Sequence, residues 1–366
     1  MNFDERPILV FWETTRACRL ACLHCRAAAT ERALPGELTH AEGLDLLEQV
    51  AAFGRPSPIL VFTGGDCLMR PDLFELVERA RGLGIPTALS PSVTPGLDKA
   101  VVEQIAAAGV RAVSISIDGA GPRVHDAVRG VPGHFEDTVV AVRRLVAAGL
   151  TVQVNTTVMR ETVEELPRLA AMLVELGVHI WEVFFLVHVG RGIDRRELNA
   201  AEHEDVCHFL FDASHHGFVV RTVEAPFFRR VAAARRAGGQ PPDTPLYTRL
   251  STGLRELVGG PSTPPAARTA STRDGKGIVF VAHDGQVYPA GFLPLALGSV
   301  RDRPLREIYR DDERLQAIRD ARFSGRCGRC EHADLCGGSR ARAFAASGDL
   351  LGEDPACAWE PAPPGA

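Results

Sequence analysis

Six apolar segments alternate with helical segments over the first two thirds of the chain. Most of these segments are apolar nearly throughout, which is typical of strands that are buried on both faces. They span residues 7–15, 58–64, 85–92, 111–118, 150–158 and 179–187. Four of the five helical segments end at or just before a glycine, the usual residue beyond a helix C-cap. Six β-α units in succession predict an α/β fold built on a parallel sheet with right-handed crossovers.

This periodicity fits two architectures equally well, a partial barrel of six β-α units and a doubly wound sheet. Both architectures place their chemistry at the C-terminal ends of the strands. The segment TTRACRLACLHC, residues 14–25, directly follows the first predicted strand and therefore lies at that edge. Its three cysteines are the first candidates for a functional site.

Composition and charge narrow the functional classes. The 366 residues are 45% hydrophobic and 24% charged, and the net charge is −5. Bulk charge therefore gives no sign of nucleic-acid binding. No apolar run reaches the roughly 18–20 residues that span a bilayer, and the acidic N-terminus lacks the features of a signal peptide. We expect a cytoplasmic protein that binds neither nucleic acid nor membranes.

The chain has nine cysteines, seven of them in two groups. Without an export signal a disulfide framework is not expected, and clustered cysteines indicate a metal site. The first group, Cys18, Cys22 and Cys25, has the spacing C-x3-C-x2-C. A structural zinc ion with a distant fourth ligand is one interpretation, although structural zinc sites are usually closed by paired motifs. Three thiolates suit a [4Fe–4S] cluster better, because its fourth iron stays open for a substrate or cofactor.

With this loop after the first strand, the chain resembles the radical S-adenosylmethionine (SAM) superfamily. The resemblance implies a partial (β/α)6 TIM-like barrel and a three-cysteine [4Fe–4S] cluster whose open iron binds SAM. It further implies one-electron cleavage of SAM to a 5′-deoxyadenosyl radical, which abstracts a hydrogen atom from the substrate. The expected electron donor is a flavodoxin- or ferredoxin-type protein.

The resemblance also assigns SAM contacts. His24 occupies the position where the family has an aromatic residue near the adenine. The segment FTGGDCL resembles the family's G-G-E-P, so Gly64, Gly65 and the carboxylate of Asp66 are expected at the SAM amino group. Cys67 replaces the proline of that motif and is either an inert apolar residue or a reactive thiol. Further contacts are expected at later strand ends, from Ser90, Ser116, Asp118, Arg129, Asn155 and Val187.

The second group, C-x2-C-x5-C-x20-C, consists of Cys327, Cys330, Cys336 and Cys357. By spacing alone, zinc is as good an interpretation as an iron–sulfur cluster. The tail resembles the twitch/SPASM domains of radical SAM enzymes, which implies an auxiliary [4Fe–4S] cluster with four protein ligands. Ala290 stands where a further cluster often has a cysteine, so one auxiliary cluster is expected. A fully ligated cluster has no open iron, which favours electron transfer as its role.

Composition and pattern divide the chain into three predicted parts. Residues 1–200 form the barrel, residues 201–269 a helical connector with a linker, and residues 270–366 a small C-terminal iron–sulfur domain. The linker is rich in Gly, Pro, Ser and Thr. A β-hairpin with its turn at Asp284-Gly285 is predicted near the start of the last part.

The tail CGGSRARAFAASGDLLGEDPAC most resembles radical SAM enzymes of haem d1 synthesis and of the alternative haem pathway. Those enzymes act on propionate or acetate side chains of tetrapyrroles, which implies a macrocyclic or other small-molecule substrate. Radical maturation of a ribosomally made peptide is the alternative. Peptide-modifying enzymes usually carry an N-terminal recognition domain, whereas this chain begins its first strand by about residue 8. A non-enzymatic zinc scaffold is a further alternative, but it leaves the open three-cysteine loop unexplained.

A tetrapyrrole carries several carboxylates, so its pocket should offer cations. Two arginine-rich segments qualify, although a solvated helix face is the commoner explanation of such segments. They contain Arg191, Arg195, Arg196, Arg229, Arg230, Arg235 and Arg236. Five histidines are candidate ligands of a metal in the macrocycle, although such residues are more often structural or exposed. They are His188, His203, His208, His215 and His216.

Overall fold

A computed structural model describes residues 2–268 and 271–362 of the chain. In these two ranges the chain forms ten strands. They are β1 (Leu9–Glu13), β2 (Ile59–Thr63), β3 (Thr87–Leu89), β4 (Ala112–Ser116), β5 (Thr151–Val158), β6 (Ile180–Phe185), β7 (Val219–Val223), β8 (Ile278–Val281), β9 (Gln286–Tyr288) and β10 (Gly298–Ser299).

The same ranges contain thirteen α-helices, and none of them is both long enough and apolar enough to cross a membrane. They are α1 (His40–Ala51), α2 (Leu73–Gly82), α3 (Lys99–Ala107), α4 (Pro122–Arg129), α5 (His134–Ala147), α6 (Leu166–Glu175), α7 (Ala200–Ala213), α8 (Phe228–Arg236), α9 (Pro245–Val258), α10 (Leu305–Asp311), α11 (Glu313–Arg319), α12 (Gly325–Arg329) and α13 (Arg340–Ser347).

The first seven strands lie side by side in chain order, and every neighbouring pair is parallel. A doubly wound sheet reverses its strand order at a switch point, and this sheet does not. The partial barrel is therefore the architecture that forms, and the predicted α/β fold is confirmed. Strands β1 to β6 each lie within the segments predicted from the sequence.

The strands are buried on one face rather than on both. In β5, Val152, Val154 and Val158 are fully buried in the core, whereas Gln153 and Asn155 are half-buried and line the inside of the barrel. This alternation follows from the period of two in a strand, which sends successive side chains to opposite faces. The apolar face packs in the core, and the inner face of the barrel is left polar enough to bind a polar ligand.

Two strands extend the predicted six-strand barrel. β7 lies in a part of the chain predicted to be helical, and it pairs with β6 so that Glu182 is opposite Arg221. β8 lies in the predicted C-terminal part but pairs in parallel with β1, with Leu9 opposite Ile278. Its partner β9 is antiparallel, as predicted for the turn at Asp284-Gly285. The boundaries of the three parts stay predictions, and one sheet runs through all three.

Arg342 in α13 anchors the C-terminal segment on the barrel. Its guanidinium donates to the carbonyl oxygen of Leu186, just after β6, at 3.1 Å and pairs with Glu197 at 2.8 Å. It also pairs with Asp354 at 3.2 Å. Because Arg342 is buried, these partners offset the cost of removing its charge from water. The contacts hold the second cysteine group against the C-terminal edge of the barrel.

Candidate active site

A cavity of about 730 Å³ occupies the inside of the barrel. Cys18, Cys22 and Cys25 line it, and so do Gly338 and Ser339, which follow the third cysteine of the second group. The cavity therefore extends from the first cysteine group to the backbone beside the second. Its volume lies within the range of roughly 300–1,000 Å³ that is usual for small-molecule sites.

The loop between β1 and α1 carries the first three cysteines, and we call it the cysteine loop. Its backbone is docked on the end of β2, where Gly65 N donates to the carbonyl oxygen of Thr15 and Asp66 N to that of Ala17, both at 2.7 Å. A Cβ atom on Gly64 would lie 2.6 Å from the Thr15 oxygen, and one on Gly65 would overlap Ala17. Glycine is required here because two backbones approach closely.

The segment after β6 holds the cysteine loop as well. The backbone N of Arg191 donates to the carbonyl oxygen of Cys25 at 3.0 Å, and its side-chain Nε donates to that of Cys22 at 2.9 Å. Arg191 is one of the arginines that the sequence offers as candidate partners of a substrate carboxylate. In the structure two of its donors position the cysteine loop, while its side chain also lines the cavity.

A buried network centred on Asp118 lies next to the cysteine loop. Its Oδ2 is 2.9 Å from Nε2 of His24 and 2.5 Å from a guanidinium nitrogen of Arg129. Its Oδ1 accepts a hydrogen bond from Thr157 N at 2.8 Å. Burial by itself would raise the pKa of Asp118, but Arg129 and His24 hold that pKa well below its usual range. Arg129 also donates to Sγ of Cys22 at 3.5 Å, so one carboxylate orients both side chains beside the cysteines.

Two histidines that the sequence analysis passed over continue this network. The backbone N of Asp118 donates to Nδ1 of His125 at 3.2 Å, and Nε2 of His125 lies 2.8 Å from Nδ1 of His134. Nε2 of His134 in turn donates to the carbonyl oxygen of Val93 at 2.9 Å. Burial, and then the charge of Arg129, lower the pKa of His125 to about 3 and also lower that of His134. Both rings are therefore neutral at pH 7, with tautomers that this chain of bonds assigns.

The second cysteine group encloses a smaller cavity of about 30 Å³. Its walls include Cys327, Cys330, Cys336 and Cys357. Backbone N–H groups of His332 and Gly338 each donate to a cysteine Sγ at 3.4 Å. Burial raises the pKa of Cys336 to about 12 and that of Cys357 to about 11, so bound iron would have to replace the thiol protons. Within the described ranges, no group of three or more Cys, His, Asp or Glu side chains is arranged to hold a single metal ion.

Comparison with known proteins places this geometry in a family. The family model of the radical SAM superfamily matches residues 12–173, and that of the SPASM iron–sulfur cluster-binding domain matches residues 273–331. The AdoMet-dependent heme synthase of Methanosarcina barkeri is 36% identical over 359 residues, which cover 97% of this chain and 97% of that protein. The chain belongs to the radical SAM superfamily. The pre-heme d1 synthase of Dinoroseobacter shibae is 31% identical over 367 residues, covering 96% of this chain and 86% of that protein.

Solved structures of low sequence identity share the fold of this radical SAM chain. Streptococcus suis SuiB bound to the precursor peptide SuiA has a TM-score of 0.71 at 15% identity, over 97% of this chain and 76% of that chain. The protein anSMEcpe with bound AdoMet has a TM-score of 0.66 at 18% identity, over 95% and 93% of the two chains. Similarity at this level confirms the partial barrel with its C-terminal domain and carries no conclusion about the substrate.

Membership of the radical SAM superfamily makes the chain an iron–sulfur enzyme that uses SAM, with an auxiliary-cluster domain at its C-terminal end. The zinc-bearing scaffold is thereby set aside. The residues fit these groups. The first cysteine group lines a cavity with room for SAM beside a cluster, and the second group places four cysteines around a small space, which suits a cluster that is fully ligated by the protein.

Eight of the ten predicted SAM contacts line the large cavity. They are His24, Gly64, Gly65, Ser90, Ser116, Arg129, Asn155 and Val187. The other two, Asp66 and Asp118, are buried behind the described part of its wall. Asp66 accepts hydrogen bonds from the backbone N–H groups of Leu68 and Ser92, each at 3.2 Å, and burial raises its pKa. Its carboxylate orders the loops after β2 and β3, and direct contact with SAM stays a prediction.

Few of the arginines and histidines that were candidates from the sequence line the large cavity. Of the seven arginines, Arg191 and Arg229 line the described wall of the large cavity, whereas Arg230 and Arg235 form ion pairs at 2.6 Å with acidic neighbours. None of the five predicted histidines belongs to that wall. Four further arginines, which were not candidates from the sequence, do line it: Arg26, Arg221, Arg268 and Arg273.

Cys67 and Cys207, the two cysteines outside the groups, are fully buried in the hydrophobic core. Burial raises the pKa of both thiols well above the usual value. A thiol that is neutral and shielded from solvent reacts slowly, because the thiolate is the nucleophile. The structure therefore supports the interpretation of Cys67 as an inert apolar residue.

Proposed function

We propose that this radical SAM enzyme modifies a carboxylate-bearing side chain of a tetrapyrrole. The observation that carries the proposal is the similarity to AdoMet-dependent heme synthases and a pre-heme d1 synthase, which extends over nearly the whole chain. A shared fold alone would not identify the substrate, because one fold hosts many activities. The similarity extends across both the barrel and the C-terminal domain, which together line the large cavity.

The large cavity supports this choice of substrate. Its wall includes Arg221 and Arg268, and also Arg229 and Arg273, whose guanidiniums donate to the backbone carbonyl oxygens of Thr272 and of residues 333–335. Guanidinium groups bind carboxylates through paired, charge-assisted hydrogen bonds. Several arginines around one large cavity therefore suit a large substrate that carries several carboxylates. We infer that the substrate lies between the two cysteine groups.

We infer that Cys18, Cys22 and Cys25 hold the cluster that supplies one electron for the cleavage of SAM to the 5′-deoxyadenosyl radical. The eight predicted contacts on the cavity wall bind SAM beside it. Asp118 acts indirectly, since it orients His24 and keeps Arg129 charged next to the cysteines. The close packing of the cysteine loop on β2 fixes the position of this end of the cavity.

We infer that Cys327, Cys330, Cys336 and Cys357 hold the auxiliary cluster. Gly338 and Ser339 lie two and three residues after Cys336 and line the substrate cavity. An electron therefore crosses only a short stretch of backbone between this cluster and a substrate in the cavity. Electron transfer is its role, because four protein ligands leave no iron open to the substrate.

We further propose a cytoplasmic location, because free cysteines and reduced iron–sulfur clusters require a reducing compartment. A one-electron donor of the flavodoxin or ferredoxin type then reduces the SAM cluster. A membrane or nucleic-acid partner forms no part of the proposal.

The test uses anaerobically reconstituted protein with SAM and dithionite as reductant. Fe-coproporphyrin III, a tetrapyrrole with four carboxylate side chains, is the first substrate, and its tetramethyl ester is the matched control. With the acid we expect 5′-deoxyadenosine together with a porphyrin product of altered mass. With the ester we expect no porphyrin product, since the arginines of the cavity have no carboxylate to bind.

Peptides encoded by neighbouring genes form the second arm of the same test. Modification of such a peptide, with no conversion of any carboxylated tetrapyrrole, would overturn the proposal in favour of peptide maturation. Formation of 5′-deoxyadenosine in both arms would leave the radical SAM activity itself intact, so the failure of the substrate proposal is distinguishable from inactive protein.

A further inference from the structure

Two buried histidines connect loops at the C-terminal edge of the barrel. His125 lies in α4 and His134 begins α5, and both side chains are buried. Nε2 of His125 lies 2.8 Å from Nδ1 of His134, so the two rings share a hydrogen bond. We call these two residues the histidine pair. Its two ends reach different loops beside the first cysteine group.

At one end the histidine pair holds the backbone of Asp118. The backbone N of Asp118 donates to Nδ1 of His125 at 3.2 Å. The carboxylate of Asp118 contacts His24 and Arg129, and Arg129 in turn donates to Sγ of Cys22. The backbone that His125 holds therefore carries the carboxylate that orients both side chains beside the cysteines.

At the other end the histidine pair holds the loop after β3. Nε2 of His134 donates to the carbonyl oxygen of Val93 at 2.9 Å. The hydroxyl of the preceding residue, Ser92, lies 3.5 Å from Sγ of Cys18 and donates to the carbonyl oxygen of Gly65 at 3.2 Å. The histidine pair thus joins two loops that lead to two different cysteines of the first group.

One arrangement of protons satisfies both ends of the histidine pair. The N–H of Asp118 needs an acceptor, so Nδ1 of His125 is unprotonated and its Nε2 carries the proton. That proton is donated to Nδ1 of His134, and the Nε2–H of His134 is then donated to Val93. Every ring nitrogen of the pair has a partner in this arrangement. Because a buried donor without an acceptor is costly, a change at either ring affects the position of Asp118.

We propose that the histidine pair positions SAM indirectly, because it holds Asp118 in the place where that residue orients His24 and Arg129. This inference rests on the placement of SAM beside the first cysteine group that is proposed above. His125 is not part of the described wall of the large cavity, so it acts only through Asp118. When His125 no longer accepts from Asp118, the loop after β4 moves to find another acceptor. The two side chains that Asp118 orients then move with it. Both histidines are positioning residues.

The test measures the Kd for SAM by anaerobic equilibrium dialysis of the full-length protein, with both clusters oxidised so that no SAM is cleaved. His125→Asn keeps an amide oxygen near the place of Nδ1, and we expect a Kd close to that of the unmodified protein. His125→Gln places its amide N–H near the place of Nε2 but leaves the N–H of Asp118 without an acceptor. We expect its Kd for SAM to rise about tenfold, which corresponds to about 1.4 kcal/mol.

His179→Gln is the matched control. Nδ1 of His179 accepts from the backbone N of Val152 at 3.3 Å, which is the same kind of bond at the N-terminal end of β5. We expect no change in the Kd for SAM, because this bond lies at the opposite edge of the sheet. In reduced protein, His125→Gln should raise KM for SAM in 5′-deoxyadenosine formation more than it lowers kcat.

His134→Leu provides a second, independent test of the histidine pair. It removes the acceptor of the His125 Nε2–H, and we expect the Kd for SAM to rise here as well. Because the two rings act as one unit, the loss in a variant with both His125→Gln and His134→Leu should be smaller than the sum of the two single losses. Iron analysis precedes each measurement. Loss of the first cluster from both single variants would overturn the proposal in favour of a purely structural role.

The proposal is also overturned if His125→Asn and His125→Gln have the same Kd for SAM, since the acceptor for Asp118 would then be irrelevant. Arg129→Met separates the proposal from the placement of SAM. Weaker binding in Arg129→Met with normal binding in His125→Gln overturns the positioning role alone. Normal binding in both variants overturns the placement of SAM together with that role. Because the dialysis contains no tetrapyrrole, the result is independent of the identity of the substrate.

Discussion

The two cysteine groups use the same ligand chemistry in two different settings. The first group lines a cavity of about 730 Å³, and its neighbouring cation, Arg129, is neutralised by buried Asp118. The second group surrounds a cavity of about 30 Å³, and Arg326 in the wall of that cavity pairs with Glu360 at 2.8 Å. The large cavity leaves room for a cosubstrate beside the three cysteines of the first group. The small cavity leaves little room beyond the cluster that the four cysteines of the second group would hold.

Removing Cys22 would break the open site and should have the largest effect. In Cys22→Ala we expect no detectable 5′-deoxyadenosine and a fall in iron content from about eight to about four atoms per chain, because one of two four-iron clusters is lost. The measurements are chromatography of the reaction mixture and iron analysis. Cys207→Ala is the control, since Cys207 lies in the hydrophobic core, and it should keep both clusters. SAM cleavage in Cys22→Ala would contradict the assignment of the site.

Removing Cys336 would disrupt the second cysteine group alone. In Cys336→Ala we expect the auxiliary cluster and tetrapyrrole conversion to be lost, while SAM is still cleaved to 5′-deoxyadenosine. The reason is that the cysteine loop is held by β2 and by the segment after β6, not by the second cysteine group. Product analysis by mass spectrometry separates the two activities. Loss of both activities with an intact first cluster would show that the sites are not separable.

Asp118→Asn tests how Asp118 neutralises Arg129 beside the first cysteine group. Breaking a buried ion pair leaves an uncompensated charge, so we expect the free energy of unfolding to fall by about 3–5 kcal/mol. Arg129 and His24 hold the pKa of Asp118 below its ordinary value of about 3.9, so the carboxylate contributes fully above about pH 4 and loses its contribution at lower pH. The loss should therefore be the same at every pH from about 8 to 9, above the range in which histidine side chains ordinarily titrate.

Anaerobic denaturant titrations of the two proteins measure this difference. Asp320→Asn is the matched control, because its pair with Arg322 is exposed and should contribute no more than about 1 kcal/mol. A loss that grows or shrinks across this pH range would show that another group titrates with Asp118.

Glu182→Gln tests the wall of the large cavity that lies between the two cysteine groups, and it should have the smallest effect. Burial raises the pKa of Glu182, against the opposing influences of Arg221 and Gln153. A raised folded-state pKa means that the wild type loses stability as pH rises from its unfolded value of about 4.3. We therefore expect the variant to be slightly more stable than the wild type at pH 8, with a smaller gain at pH 5. The exposed variant Glu175→Gln should show no gain at either pH in the same thermal unfolding experiment.

The strands show how far local sequence carries the fold. β1 to β6 were predicted because most of them have a nearly continuous apolar run, and their alternation with helices predicted a parallel sheet. The choice of the partial barrel came only from the resemblance to the radical SAM superfamily. β7, Val219–Val223, was not predicted, because its short run includes Arg221, whose side chain lines the cavity. A polar residue in a short strand hides the strand pattern. Arg221 therefore both lines the cavity and interrupts the apolar pattern by which β7 could have been predicted.

The site shows a second limit. His24, Gly64 and Gly65 were located by motif, and all line the cavity, but Asp66 and Asp118 lie behind its wall and act through other residues. Motifs place residues in order along the chain. They do not say whether a carboxylate contacts the ligand or contacts a neighbouring side chain. That depends on which residues, distant in sequence, donate hydrogen bonds to its oxygens.

The sequence by itself determined the class of fold, the two groups of cysteines and the fact that one group stops at three while the other has four. The spacing of the cysteines is a local property of the chain, so it can be read directly from the sequence. Only the tertiary structure decided what surrounds each group, since Asp118 reaches Arg129 across eleven residues and Arg273 reaches the segment between Cys330 and Cys336 across sixty. Whether a charge is neutralised depends on contacts within about 4 Å in space, and only folding brings such partners together.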